Sequence, residues 1–179
     1  MTFTNRNHTV RTSSVACGIA LMIALLHFAS SPANADDRKP ADKAAAQAAL
    51  VAWLDCVECT DGELKKLLPH AALVGPALGT ILVQGPSPAE KARTEDRLHA
   101  QWRALSPKAR VYSEKEYVEI FSAKAAARYQ VKAAQALALF AAPAYDRYLL
   151  EASSNKKLNP AVQQAVVDAL EKRKLTPAR

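Results

Sequence analysis

The residues of this chain best suited to chemistry are Cys56 and Cys59, in the segment Trp53-Leu54-Asp55-Cys56-Val57-Glu58-Cys59-Thr60-Asp61-Gly62-Glu63-Leu64. A C-x-x-C pair can close a disulfide across a turn or helix end, or work as a redox-active dithiol when a thiolate is stabilised at a helix start. A structural disulfide is the expectation here, pinning the hairpin between a first and a second helix. The enclosed loop is so short that its entropic contribution should fall below the ~2–4 kcal/mol of longer bridges. Redox use, in thiol-disulfide exchange or a chaperone role, is the alternative. Two features weigh against it: no strand leads into the pair, and Asp55, Glu58 and Asp61 surround the sulfurs with negative charge.

Other chemistry is thin. Haem attachment needs histidine directly after the second cysteine, and position 60 is threonine. Zinc wants four ligands, and beyond the thiols the region after residue 35 offers His70 and His99 without a second close pair, so no metal or other cofactor is expected. No G-x-S-x-G, P-loop or H-E-x-x-H is present, and no catalytic residues are assigned. Glu90, Glu95 and Asp96 share a stretch with Lys91, Arg93 and Arg97, where i,i+4 pairing explains them better than acid/base work. Gly75 and Gly79 form G-x-x-x-G, read as close approach of neighbouring helices. Tyr112, Tyr117, Tyr129, Tyr145 and Tyr148 all lie in the second half of the chain. Tyr112, Tyr117 and Tyr148 are the candidate partner-contact residues, since tyrosine joins apolar area to a hydrogen-bonding tip.

These residues have to be positioned by helices. The sequence from residue 36 onward is rich in alanine and leucine, poor in glycine and without period-2 alternation, which predicts an all-α fold. Ala46, Leu50, Trp53 and Leu54 fall on one helical stripe, as do Leu64, Leu67, Leu68 and Ala71, and then Val74, Leu78, Ile81 and Leu82. Thr60–Glu63, Ser87–Glu90 and Ser113–Glu116 each fit a capping box, while Pro40, Pro76, Pro88, Pro143 and Pro160 suit first helical turns and Gly85 a helix stop. About seven helices are predicted, near 40–54, 61–70, 73–84, 88–104, 114–141, 143–153 and 160–173, the fifth read as one long helix rather than two. They are expected to form a short helical-repeat stack or an irregular bundle.

The first thirty-five residues point outside the cytoplasm. Arg6 and Arg11 precede an apolar Val15–Ala29, and Ala33-Asn34-Ala35 reads as a cleavage site, so residues 1–35 are expected to be a signal peptide removed after Ala35. Residues 36–179 should then be one periplasmic or secreted domain, and no later run of about twenty apolar residues marks an integral membrane protein. Loss of Arg6 and Arg11 lowers the formal charge from +7 to about +5. That surplus permits weak contact with anionic surfaces, and outside the cell nucleic acid is the poorer guess.

A weak internal repeat lies near the C-terminus: Tyr129–Leu137 can be laid on Val162–Leu170 at an offset of 33 residues, with the short segment around Tyr145, Tyr148, Leu149 and Ala152 between them. This helix-turn-helix unit, residues 129–173, resembles a HEAT-type repeat, and V-x-x-A-x-x-x-A-L in Val162–Leu170 is similar to its first helix. The cysteine segment from Trp53 to Leu64 is similar to one found in uncharacterised exported bacterial proteins of HEAT-like type. The resemblance implies a scaffold or adaptor that offers a helical surface to another protein, and it brings no catalytic residues. The expectation is therefore a non-enzymatic protein–protein interaction role, with thiol-disulfide or chaperone work at Cys56 and Cys59 as the alternative.

Overall fold

In the computed structural model of the chain, residues 39–59 and 61–175 are described, and the expected signal peptide lies outside them. Seven α-helices follow one another among the described residues: α1 Pro40–Asp55, α2 Asp61–Leu67, α3 Ala71–Gln84, α4 Pro88–Ala104, α5 Glu114–Leu139, α6 Asp146–Ser154 and α7 Pro160–Lys172. Short 3₁₀ turns at Leu68–His70, Pro107–Ala109 and Pro143–Tyr145 connect some of them, and no strand occurs in this region. The fold is all-α.

Local chemistry accounts for these boundaries. At the start of α4, Ser87 Oγ accepts from the Glu90 amide at 3.3 Å and the Ser87 amide donates to Glu90 Oε2 at 2.6 Å. Ser113 and Glu116 repeat the exchange at the start of α5, so two of the predicted capping boxes are formed. The third falls on Thr60, outside the described residues. Pro40, Pro88 and Pro160 occupy first helical turns, and Gly85 ends α3 at a φ of 86° that favours glycine.

Two local expectations are corrected. Pro76 was expected in a first turn, but α3 begins at Ala71 and encloses it, because the chain from α2 turns through Leu68–His70 directly into α3. The same turn rotates Leu68 out of its expected stripe, leaving it exposed while Leu64 and Leu67 stay buried.

The axis of the molecule is α5, a single helix of 26 residues that contacts α1, α3, α4, α6 and α7. It packs along α4, and from Ala125 onward it buries Ala125, Tyr129, Ala133, Ala134, Ala136 and Leu137. Around it are buried the predicted stripes of α1 (Ala46, Leu50, Trp53, Leu54) and α3 (Val74, Leu78, Ile81, Leu82), together with Val162, Val166, Ala169 and Leu170 of α7. The repeated segments of α5 and α7 lie against one another, and Tyr129, Ala133, Ala136 and Leu137 match Val162, Val166, Ala169 and Leu170 in burial. Gly62–Gln84 is the one described stretch long and apolar enough to cross a membrane by length and composition. Its apolar residues Leu64, Leu67, Val74, Leu78, Ile81 and Leu82 belong to the buried core.

Candidate functional site

The cysteine turn joins the end of α1 to the start of α2. Cys56 follows the last residue of α1, both cysteines are half-buried, their sulfurs lie at disulfide distance and their Cα atoms are 5.7 Å apart. Between them Val57 projects into solvent with 72 % of its surface exposed. The pair thus bridges the α1–α2 turn, and Cys59 packs against the core while Cys56 closes the helix end.

A side chain overlooked in the sequence reading reaches this turn from the middle of α5. Lys132 is only 6 % exposed, and its Nζ donates to the Trp53 carbonyl at 2.6 Å, to the Cys56 carbonyl, and lies 2.8 Å from Cys59 Sγ. The ammonium caps carbonyls that the last turn of α1 leaves without helical partners, at the negative end of the helix dipole. It also lies 4.8 Å from the centre of the Trp53 ring. Burial, and then the neighbouring Arg128 charge, lower the Lys132 pKa while Asp55 raises it, leaving it at about 8.

The expectation that Asp55 lends its negative charge to the sulfurs is corrected by where its side chain points. Its carboxylate receives a hydrogen bond from Tyr129 and contacts Arg93 Nε at 3.2 Å and Arg97 Nη1 at 3.4 Å. Because the Tyr129 proton goes to Asp55, the Thr94 hydroxyl donates to the Tyr129 oxygen at 3.3 Å. Burial raises the Asp55 pKa, yet the Tyr129 hydrogen bond and the Arg93 and Arg97 charges outweigh it and leave the group below its ordinary value. Arg93 and Arg97 therefore reach from α4 across to α1 instead of serving only pairs along their own helix. Glu58 is exposed to solvent, and the Lys132 cation is in contact with Cys59 Sγ.

Beside this turn opens a cleft of about 520 Å³ lined from α1, the cysteine turn, α2, α5 and α7. Trp53, Leu64, Val131, Ala138, Ala165 and Ala169 give it an apolar floor, and Cys59 is the cysteine that faces it. Arg128, Lys132 and Lys172 contribute cations to the lining against the single carboxylate of Asp168. Arg128 Nε is buried without a hydrogen-bond partner, an unused donor at the cleft.

The three tyrosines proposed for partner contact stand in different settings. Tyr112 is exposed in the α4–α5 connection, where its carbonyl accepts from Trp102 Nε1 at 3.1 Å. Tyr117 stacks on Phe121 along α5 with ring centres 4.4 Å apart. Tyr148 is half-buried, with its ring over Gly79 of α3 and its hydroxyl accepting from Arg147 at 2.8 Å. None of them lines the cleft at the cysteine turn.

Compared with protein-family models, curated proteins and solved structures, the chain matches none.

Proposed function

We propose that this is an exported helical protein that binds a segment of another protein, and that the segment lies in the cleft between the cysteine turn and the α5–α7 face. The carrying observation is the composition of that cleft: an apolar floor around Trp53 and Leu64, with Arg128, Lys132 and Lys172 set against one carboxylate, Asp168. Such a lining suits an apolar side chain flanked by carboxylates, for which the Arg128 and Lys172 cations are partners. The exposed Val57 at the turn adds apolar surface beside the cleft. Export and a periplasmic or secreted location are in keeping with the N-terminal sequence pattern and with a cysteine pair at disulfide distance. A HEAT-like relationship is in keeping with α5 and α7 packing side by side with matched buried positions.

A Trp102→Phe variant leaves Trp53 as the sole tryptophan, so emission from the cleft can be followed while a synthetic peptide of alternating leucine and glutamate is added. Saturable quenching or a spectral shift is expected, weakened by salt and lost when the half-exposed Ala165 is replaced, Ala165→Trp, in a version followed by labelled-peptide anisotropy. Binding that survives both Ala165→Trp and Arg128→Glu would move the partner site elsewhere on the molecule.

A further inference from the structure

We propose that Cys56 and Cys59 are a thiol-disulfide exchange site acting on protein dithiols, with Cys59 the sulfur offered to the incoming thiol and Lys132 the cation that stabilises the Cys59 thiolate. The inference stands on the sulfur pair and its cation, and does not depend on whether the neighbouring cleft takes a peptide.

Three observations converge on it. Cys59 lines the open cleft and Cys56 does not. The Lys132 ammonium lies 2.8 Å from Cys59 Sγ and is fixed there by the carbonyls of Trp53 and Cys56, so the cation is held in place before any thiolate forms. The apolar Val57 stands exposed between the two cysteines, a contact point for a partially folded substrate. A disulfide kept solely as a staple needs neither an adjacent buried cation nor an opening at one of its sulfurs.

The charged groups facing the pair come from every neighbouring element. Lys132 reaches it from α5, while Arg128 of α5 and Asp168 and Lys172 of α7 line the cleft. Asp55 of α1 is engaged by Arg93, Arg97 and Tyr129, Glu58 is solvated, and Glu63 of α2 lies 4.0 Å from Lys66. Among the described charges, the one in contact with Cys59 Sγ is the Lys132 cation, which favours the thiolate.

The exchange balances as follows. A substrate thiolate attacks Cys59 Sγ, the Cys56–Cys59 bond breaks, and its electron pair leaves on Cys56 Sγ, which takes up a proton. The second substrate thiolate then attacks its partner sulfur in the mixed disulfide and releases Cys59 Sγ as a thiolate beside Lys132. The substrate dithiol has lost two electrons and two protons and become a disulfide; the cysteine pair has gained the electrons, one proton sits on Cys56 and the other is in solvent. Stabilising the Cys59 thiolate favours the reduced form, so Lys132 makes the pair a better oxidant.

The test is to equilibrate the purified protein and its Lys132→Met variant with graded mixtures of reduced and oxidised glutathione, quench in acid, alkylate, and read Cys56 and Cys59 by mass spectrometry. Both redox forms of the wild type should be populated within the series, and Lys132→Met should shift the equilibrium at least tenfold toward the disulfide, about 30 mV. A pair that stays oxidised throughout, or a midpoint unmoved by Lys132→Met, overturns the proposal. Should Lys132→Met fail to fold, Cys56→Ser carries the decision through the pH dependence of iodoacetamide labelling at Cys59. An inflection below the ordinary thiol value of about 8.5 supports the site, and one at or above it overturns it.

Discussion

Trp53 and Lys132, 79 residues apart in sequence, hold each other by reciprocal hydrogen bonds: the Trp53 indole donates to the Lys132 carbonyl at 3.2 Å, and Lys132 Nζ donates to the Trp53 carbonyl at 2.6 Å. The exchange ties the end of α1 to the middle of α5 and seats a cation in the core. Its desolvation is offset only in part by helix-end carbonyls, the Trp53 ring and the Cys59 sulfur, each of which attracts positive charge.

A buried ammonium whose pKa is lowered to about 8 from 10.5 makes stability depend on pH in a definite direction. Between those values the unfolded chain binds more protons at this position than the folded one, so folding stability rises with pH across that window. Relative to Lys132→Met, the wild type should gain about 1–2 kcal/mol between pH 7 and 9.5. Urea unfolding of both proteins at each pH measures it, and parallel curves would show that the ammonium is not desolvated.

Asp55 gives a second window, at the acid end and of the same sign. Its carboxylate is held below 3.8 by Tyr129, Arg93 and Arg97 against the upward push of burial, so its contribution is present above pH 3.8 and is lost as pH falls through the lower folded value. Asp55→Asn should cost about 1–3 kcal/mol at pH 7 through the weakened charge-assisted bonds. The deficit should close on acidification, and a denaturant series from pH 7 to 2.5 follows that convergence.

How much of this was legible follows from what each level of structure depends on. The starts of α4 and α5 could be read to the residue, because a capping box is local chemistry between side chain and backbone three positions apart. The buried faces of α1 and α3 could be read because period alone decides them. Pro76 and Leu68 went astray because the angle at which α2 runs into α3 is set by packing, not by either segment's own preferences. The charge around the cysteines was misread for the same reason: Asp55 is adjacent in sequence but answers to Arg93 and Arg97 on another helix. One signal for the missed residue was available. Lys132 falls three positions after Tyr129 and four before Ala136, a lysine on an apolar stripe, and such a lysine must find a buried partner.

Arg173 does at the far end of α5 what Lys132 does at the end of α1. It donates to the Leu137, Phe140 and Ala142 carbonyls that close α5, and it meets the Asp146 carboxylate at 2.5 Å, joining the end of α7 to the start of α6. Removing it by Arg173→Met should cost about 2–4 kcal/mol by leaving a carboxylate and helix-end carbonyls unpaired. Arg173→Lys should recover only part of that, since an ammonium cannot spread over the same fork of acceptors. Thermal unfolding of the three proteins ranks them, and equal recovery by lysine would reduce the role to charge alone.

The last prediction concerns Gly79, where α3 and α6 approach so closely that a side chain would collide. A Cβ there would lie 2.4 Å from the Tyr148 ring, and the affected atoms extend to the base of the ring, which cannot swing clear as its tip could. Alanine in place of a mid-helix glycine gains roughly 1 kcal/mol of helix propensity, whereas overpacking of this kind costs about 1–3 kcal/mol. Gly79→Ala should therefore come out neutral to destabilising in the wild-type background. In a Tyr148→Ser background the obstruction is gone and the same substitution should stabilise by up to about 1 kcal/mol. The coupling between the two changes, read from a double-mutant cycle in urea, isolates the steric clash from helix propensity; a coupling near zero would mean that α6 shifts freely and the close approach is not fixed by packing.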